Sequence, residues 1–289
     1  MAQHPSDGDF ASELEPVATL GFADLGDEDW PAFRSTPWIP PTIDSSATRQ
    51  PAADHARACP LCTSESRHRL LASSRASAGS KPGKRKDPYK LGLLVEGGGM
   101  RGVVSAGQLI VLHSLGLRDC FDACYGSSAG AMNLTYFLSG QPEGALAYAE
   151  DLANKDFLDL RRLLSSKESV RPSMDLSILL DDVMDVLKPL NWDAILSSPV
   201  PLKVVATSLD AIDSVLLENF ESVEDLKLCL RGSANVPVVA GPPVEHRGHR
   251  LVDAMFFEGT PLKSALQDDC THMLVLSGRG ERDLSDDVG

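Results

Sequence analysis

A serine between two glycines, in Gly126-Ser127-Ser128-Ala129-Gly130, is the stretch of this chain best suited to do chemistry. It fits the pattern G-x-S-x-G with Ser128 at the centre. On a tight strand-to-helix turn such a hydroxyl is forced outward, and Gly126 and Gly130 let the turn close without a clash. The helix that follows adds its positive end beside the hydroxyl. A serine so placed can attack an acyl carbon once a base takes its proton. Five residues alone read equally well as a small-residue turn.

A second glycine loop, Gly97-Gly98-Gly99-Met100-Arg101-Gly102, fits G-x-G-x-x-G. Between a strand and a helix this pattern cradles phosphate in dinucleotide-binding folds. That reading calls for an acidic residue ending the second strand, but Asp119 and Asp122 precede it. The other use of such a loop is to aim backbone N–H groups at the oxyanion of an acyl-transfer intermediate. One such donor is worth about 3–4 kcal/mol of barrier.

The elements that must position these turns are legible in outline. Leu91 to Glu96 reads as a buried strand and Val103 to Leu115 as a helix, with Val104, Leu109, Val111, Leu112 and Leu115 available for burial. Phe121 to Tyr125 is a second strand delivering Ser128. Ala129 to Leu138 and Glu143 to Asn154 are helical in pattern. So is Leu176 to Leu187, where Leu176, Leu179, Leu180, Val183 and Leu187 recur at helical spacing. Pro201 to Ser208 is a strand, with Ser214 to Phe220 as its hairpin partner. Val223 to Ser233 is a helix, Arg250 to Asp253 a short strand end, and Thr271 to Ser277 a further strand. Strands alternating with helices predict a mainly parallel sheet covered on both faces.

Composition narrows the function. The net charge of -14 over 289 residues excludes a general nucleic-acid binder and gives no broad attraction to anionic membranes. No apolar run reaches the roughly 18 residues of a membrane-spanning helix. The six cysteines are scattered, which predicts reduced thiols inside the cell. Cys59 and Cys62 form a lone CxxC, and a zinc clip there would need His55 and His68. Residues 1–88 predict an N-terminal region with no fold of its own. Met1 to Trp30 is acidic without Lys or Arg, and Thr63 to Ser80 shows neither helix nor strand periodicity. The basic run Lys81 to Lys86 reads first as a solvated linker, ahead of contact with acidic lipid headgroups or a localisation signal. The folded domain is expected over residues 89–277, with a polar tail over 278–289.

With the two glycine loops come Ser233-Ala234-Asn235-Val236-Pro237, Pro242-Pro243 and Val252-Asp253, in that order. This ordered set resembles the patatin-like phospholipase family over about Lys90 to Leu276. The resemblance implies a three-layer α/β/α sandwich and a lipid acyl hydrolase that works with a Ser–Asp dyad. It implies no catalytic histidine, no cofactor and no active-site metal. Ser128 would be the nucleophile and Asp253 its base. Gly98 and Gly99, with the neighbouring Gly97 and Met100, would supply oxyanion donors. Arg101 would brace the loop or face an anionic headgroup, next to Gly102. The implied substrates are phospholipid, galactolipid or acylglycerol esters. The implied setting is the cytoplasm, with peripheral contact to membranes.

One departure stands out. The family's aspartate usually precedes Gly-Gly or Gly-Ala, whereas this chain has Asp253-Ala254-Met255. If that position needs a positive φ, alanine costs about 1 kcal/mol or displaces the aspartate. The alternative function is therefore a family member that binds lipid or a partner without turnover. A Ser–His–Asp triad ranks below the dyad: His272 opens a strand, and His246 and His249 precede Asp253.

Overall fold

The computed structural model describes residues 18–20, 64–164 and 171–279. Of the acidic start only Ala18–Leu20 is described, and it forms a strand where no fold was expected; the Cys59–Cys62 pair with His55 and the tail past residue 279 lie outside the described residues. Eight strands form one sheet: β1 (Ala18–Leu20), β2 (Leu91–Val95), β3 (Ala123–Ser127), β4 (Leu202–Ser208), β5 (Asp213–Leu217), β6 (Val244–His246), β7 (His249–Val252) and β8 (His272–Leu276). The order is β1-β8-β2-β3-β4-β7-β6, with β5 also on β4. The strands β1, β8, β2, β3 and β4 run parallel. The β5, β7 and β6 pairings are antiparallel.

The central strands β2, β3 and β4 are buried on both faces, as their apolar residues require. Leu91, Leu93, Val95 and Cys124 face one core with helices α2 (Gly102–Ser114) and α3 (Ala129–Ser139). Leu94, Ala123 and Tyr125 face the other, with Ala265 of α6 (Leu262–Gln267). The alternation along β2 and β3 produces a three-layer α/β/α arrangement. Two further helices pack in, α4 (Ile178–Leu187) and α5 (Val223–Ala234).

Periodicity fails locally in three places. On α2, Leu109 and Leu112 are buried, but Val111 and Leu115 are half exposed. Glu143 to Asn154 is not one helix. A 3₁₀ turn at Pro142–Leu146 leads into a single turn, Ala147–Glu150. On α4, Leu179, Leu180, Val183 and Met184 are buried while Leu187 is exposed. The reason is the wide winding of this helix, which ends with the Lys188 N–H on Val183 O, five residues back. The widened turn carries Met184 inward and Leu187 out to solvent.

A larger difference concerns the segment Thr63 to Ser80, expected without periodic structure. It carries α1 (Ser64–Ser77). Apart from Ala72 and Leu71, which pack on the core, the contacts that anchor α1 are polar, so apolar periodicity gives little sign of it. The Arg75 guanidinium is nearly fully buried and donates to Asp87 (2.6 Å), Asp122 (2.7 Å), Cys120 O and Tyr89 O (both 2.8 Å). Asp122 also accepts from Leu91 N at 2.8 Å and from Arg85 at 2.9 Å. One buried cation thus ties α1 to the starts of β2 and β3. Breaking a buried pair from one side strands the partner charges, so Arg75→Ala is expected to lower unfolding free energy by about 3 kcal/mol. A urea melt with an unchanged midpoint would show that α1 is not anchored in this way.

Candidate active site

The end of β3 is shaped by two glycines that cannot be anything larger. A Cβ on Gly126 would stand 2.5 Å from Ala131 Cα, and one on Gly130 only 2.3 Å from Val95 O and 2.7 Å from Glu96 O. All of these are backbone atoms, so no side chain can swing away. The start of α3 therefore lies directly on the last carbonyls of β2. Between the glycines, Ser128 takes φ 50 and ψ -123. A non-glycine residue there is strained, and only a surrounding that fixes the turn sustains it.

Asp253 arrives along an edge that β3 leaves vacant. β3 pairs with β4 from Leu202 to Val205 and stops. β5 holds the opposite edge of β4, so β7 takes the vacated one, at Thr207 and Ser208. Running antiparallel to β4, β7 heads back toward the end of β3. Its next residue is Asp253, which meets the serine: Ser128 Oγ donates to Asp253 Oδ2 at 2.8 Å. Oδ1 accepts from Met255 N at 2.8 Å. Asp253 is buried, and that burial raises its pKa, against the lowering effect of the Met255 and Ser128 donors.

Ala254 causes no strain. It opens a 3₁₀ turn, Ala254–Phe256, a right-handed conformation that alanine adopts freely. It is fully buried, and its carbonyl accepts from Glu258 N at 2.7 Å. Glycine is not required here, and the aspartate is not displaced.

The Ser233-Ala234-Asn235 stretch, to which sequence reading attached no role, holds both residues in place. Ser233 Oγ accepts from Ser128 N at 2.8 Å and donates to Val205 O. Asn235 O accepts from Asp253 N at 2.9 Å, and its side chain ties to Pro242 O at 2.8 Å. Only the recurrence of the stretch beside the two glycine loops marked it.

The Gly97 loop lies against the serine: a Cβ on Gly97 would stand 3.1 Å from Ser128 Cβ. One expectation needs correction. The Gly97 N–H already donates to Gly259 O at 3.0 Å, so it braces the loop and is not free to meet an anion. No described residue accepts from the N–H groups of Gly98 and Gly99. Gly99 has φ 56, the left-handed region that favours glycine. Met100 sits in the 3₁₀ turn Gly99–Arg101, and the exposed Arg101 folds its side chain back over Gly98. Gly102 O accepts from Asn133 Nδ2 at 2.7 Å, which links α2 to α3 behind the loop.

Histidines sit elsewhere among the described residues. His249 bonds Ser208 Oγ at 2.9 Å, His272 bonds Thr271 Oγ1 at 3.0 Å, and His246 bonds Asp225 at 2.7 Å. Asp225, Cys229 and His246 bring their donor atoms within 4.8 Å of one another, a spacing a metal could use. However, the Arg247 guanidinium, together with the Glu221 N–H and His246, already holds Asp225 down to about 2. That arrangement is an ion-pair network.

The family model for patatin-like phospholipase matches residues 93–266, from within β2 to α6. The chain belongs to the patatin-like phospholipase family. A comparison with curated proteins finds no match. Among solved structures, the chain is similar to VipD from Legionella pneumophila, at 15% identity and TM-score 0.39, over 58% of this chain and 46% of that one. It is also similar to human GIVD cytosolic phospholipase A2, at 20% identity and TM-score 0.33, over 53% of this chain and 25% of that one. The aligned part thus spans less than half the length of either protein. The three-layer sheet described above is the α/β architecture of this family.

The glycine contacts give a sharp test. Gly130→Ala is expected to cost at least about 3 kcal/mol, because backbone must move to admit one methyl. Gly107→Ala, on α2 with nothing within 4 Å of the new Cβ, is expected to be neutral or slightly stabilising. Equal midpoints for the two variants in urea would contradict the close approach of α3 to β2.

Proposed function

We propose that this protein is a lipid acyl hydrolase in which Ser128 is the nucleophile and Asp253 its base. The observation that carries the proposal is the 2.8 Å hydrogen bond between Ser128 Oγ and a buried carboxylate oxygen of Asp253. Family membership supplies the substrate class, carboxylic esters of lipids.

The chemistry follows from the geometry. Ser128 Oγ bonds to the ester carbonyl carbon as its proton passes to Asp253 Oδ2. The carbonyl oxygen takes up the negative charge, and the N–H groups of Gly98 and Gly99 stabilise it, with the Met100 N–H beside them. The ester bond breaks, and the leaving alcohol takes the proton back from Asp253. Water then attacks the acyl-serine with Asp253 again as base, releasing the fatty acid and restoring Ser128. Met255 N–H keeps Oδ1 occupied and so leaves Oδ2 for the serine. A carboxylate with a raised pKa is a better base at neutral pH than an ordinary one, since the proton transfer is less uphill.

The test is hydrolysis of phospholipid and acylglycerol esters by pure, folded protein. Ser128→Ala and Asp253→Asn are each expected to reduce kcat/KM by at least about three orders of magnitude. In the wild type, kcat/KM should rise with pH through an apparent pKa above the ordinary aspartate value of about 3.9. Undiminished turnover in either variant would exclude the dyad.

A stability consequence is independent of turnover. With its folded pKa raised, Asp253 favours folding when protonated, and that contribution is lost as pH rises from the unfolded pKa through the folded one. At neutral pH the buried charge is therefore a cost. Asp253→Asn is expected to melt higher than wild type at pH 7, with the difference vanishing in acid. A lower melting temperature at pH 7 would show that the carboxylate is not held at a cost.

A further inference from the structure

The segment that follows the base is an arch pinned at both feet to the two glycine turns. At one foot Asp253 accepts from Ser128 Oγ. At the other, Glu258 O accepts from Ser127 Oγ at 2.9 Å and Gly259 O from Gly97 N at 3.0 Å. The Glu258 carboxylate is buried and fixes the second foot by accepting from both Ser264 N and Ser264 Oγ at 2.7 Å. Inside the arch, Phe257 N and Glu258 N both close on Ala254 O. These bonds hold the crest up from both feet.

The crest is apolar and in water. Met255 is 62% exposed, Phe256 53% and Phe257 50%. Large side chains on a tight surface turn are ordinarily polar. A contiguous apolar ridge left this exposed by the described residues marks an interaction surface. Its position says what it meets, because both feet stand on the turns that carry the nucleophile and the oxyanion loop. Whatever covers the crest lies at the entrance through which an ester must reach Ser128.

We propose that the Met255-Phe256-Phe257 crest inserts into a zwitterionic or neutral lipid surface and holds the site over the esters it cleaves. The proposal rests on the reading of the site as a lipid acyl hydrolase. At -14 the chain has no broad attraction to anionic headgroups, which leaves the apolar crest as the means of attachment. The crest itself carries no charge. Aromatic rings suit the boundary between headgroups and acyl chains.

The experiment is co-sedimentation of the full chain with phosphatidylcholine vesicles, using Ser128→Ala so that no lipid is consumed. Binding is expected, unaffected by high salt and not increased by adding phosphatidylserine. Phe256→Ser with Phe257→Ser should weaken it by at least about tenfold. The melting temperature should be unchanged, since both rings are already half exposed. With Ser128 intact, the same double variant should hydrolyse a short-chain soluble ester at the wild-type rate while losing vesicle hydrolysis in step with binding. Vesicle binding that survives the double change, or no binding by the parent protein, overturns the proposal. So does a dimer, seen by light scattering, that the double change dissociates, because a second copy then covers the crest. If binding depends on the crest but neither ester is cleaved, the lipid surface stands and the hydrolase reading falls.

Discussion

The site depends on one constraint: β3 must end at Ser127 and become α3 without a connecting loop. Gly126 and Gly130 allow this because neither has a Cβ to meet the backbone of Ala131 or the carbonyls of Val95 and Glu96. The consequences follow in sequence. The start of α3 lands on β2, so the loop leaving β2 is brought against Ser128. The early end of β3 frees an edge of β4, and β7 fills it in the direction that delivers Asp253. Ser128, the Gly98 and Gly99 amides and the Asp253 carboxylate are placed by one truncated strand.

The electrostatics set Asp253 apart from Asp225 and Asp268. The Arg247 guanidinium, together with the Glu221 N–H and His246, holds Asp225 down to about 2. Asp268 is also about 2: burial would raise it, but hydrogen bonds from Lys203, Tyr125 and Lys90 lower it further. Asp253 has no cation among its described partners, only a hydroxyl and one backbone N–H. Burial therefore prevails and its pKa goes up. A carboxylate that the fold surrounds with hydroxyl and amide donors, and not with lysine or arginine, is available to take a proton.

Much of this was legible in the sequence because glycine patterns report backbone needs. Two glycine turns after two apolar strands indicated the sheet and Ser128, and the family resemblance singled out Asp253; the two side chains meet at 2.8 Å. What was not legible depended on partners distant in the chain. That Gly97 gives its N–H to Gly259, that Ser233 receives the N–H of Ser128, and that Arg75 anchors a helix are facts of tertiary hydrogen bonding. None of these leaves a periodic trace. The concern over Ala254 arose from assuming a left-handed turn, and the chain makes a right-handed one. Leu187 turned outward because a wider helix breaks the spacing from which its burial was inferred.

The most direct measurement is mass-spectrometric mapping of the adduct formed with a fluorophosphonate, a reagent that traps only an activated serine. The account predicts one phosphonyl group per chain, on the peptide containing Ser128. Formation should quicken with pH as Asp253 ionises and should be lost in Asp253→Asn. An adduct on a different serine, or a folded wild-type protein that forms none, would contradict it.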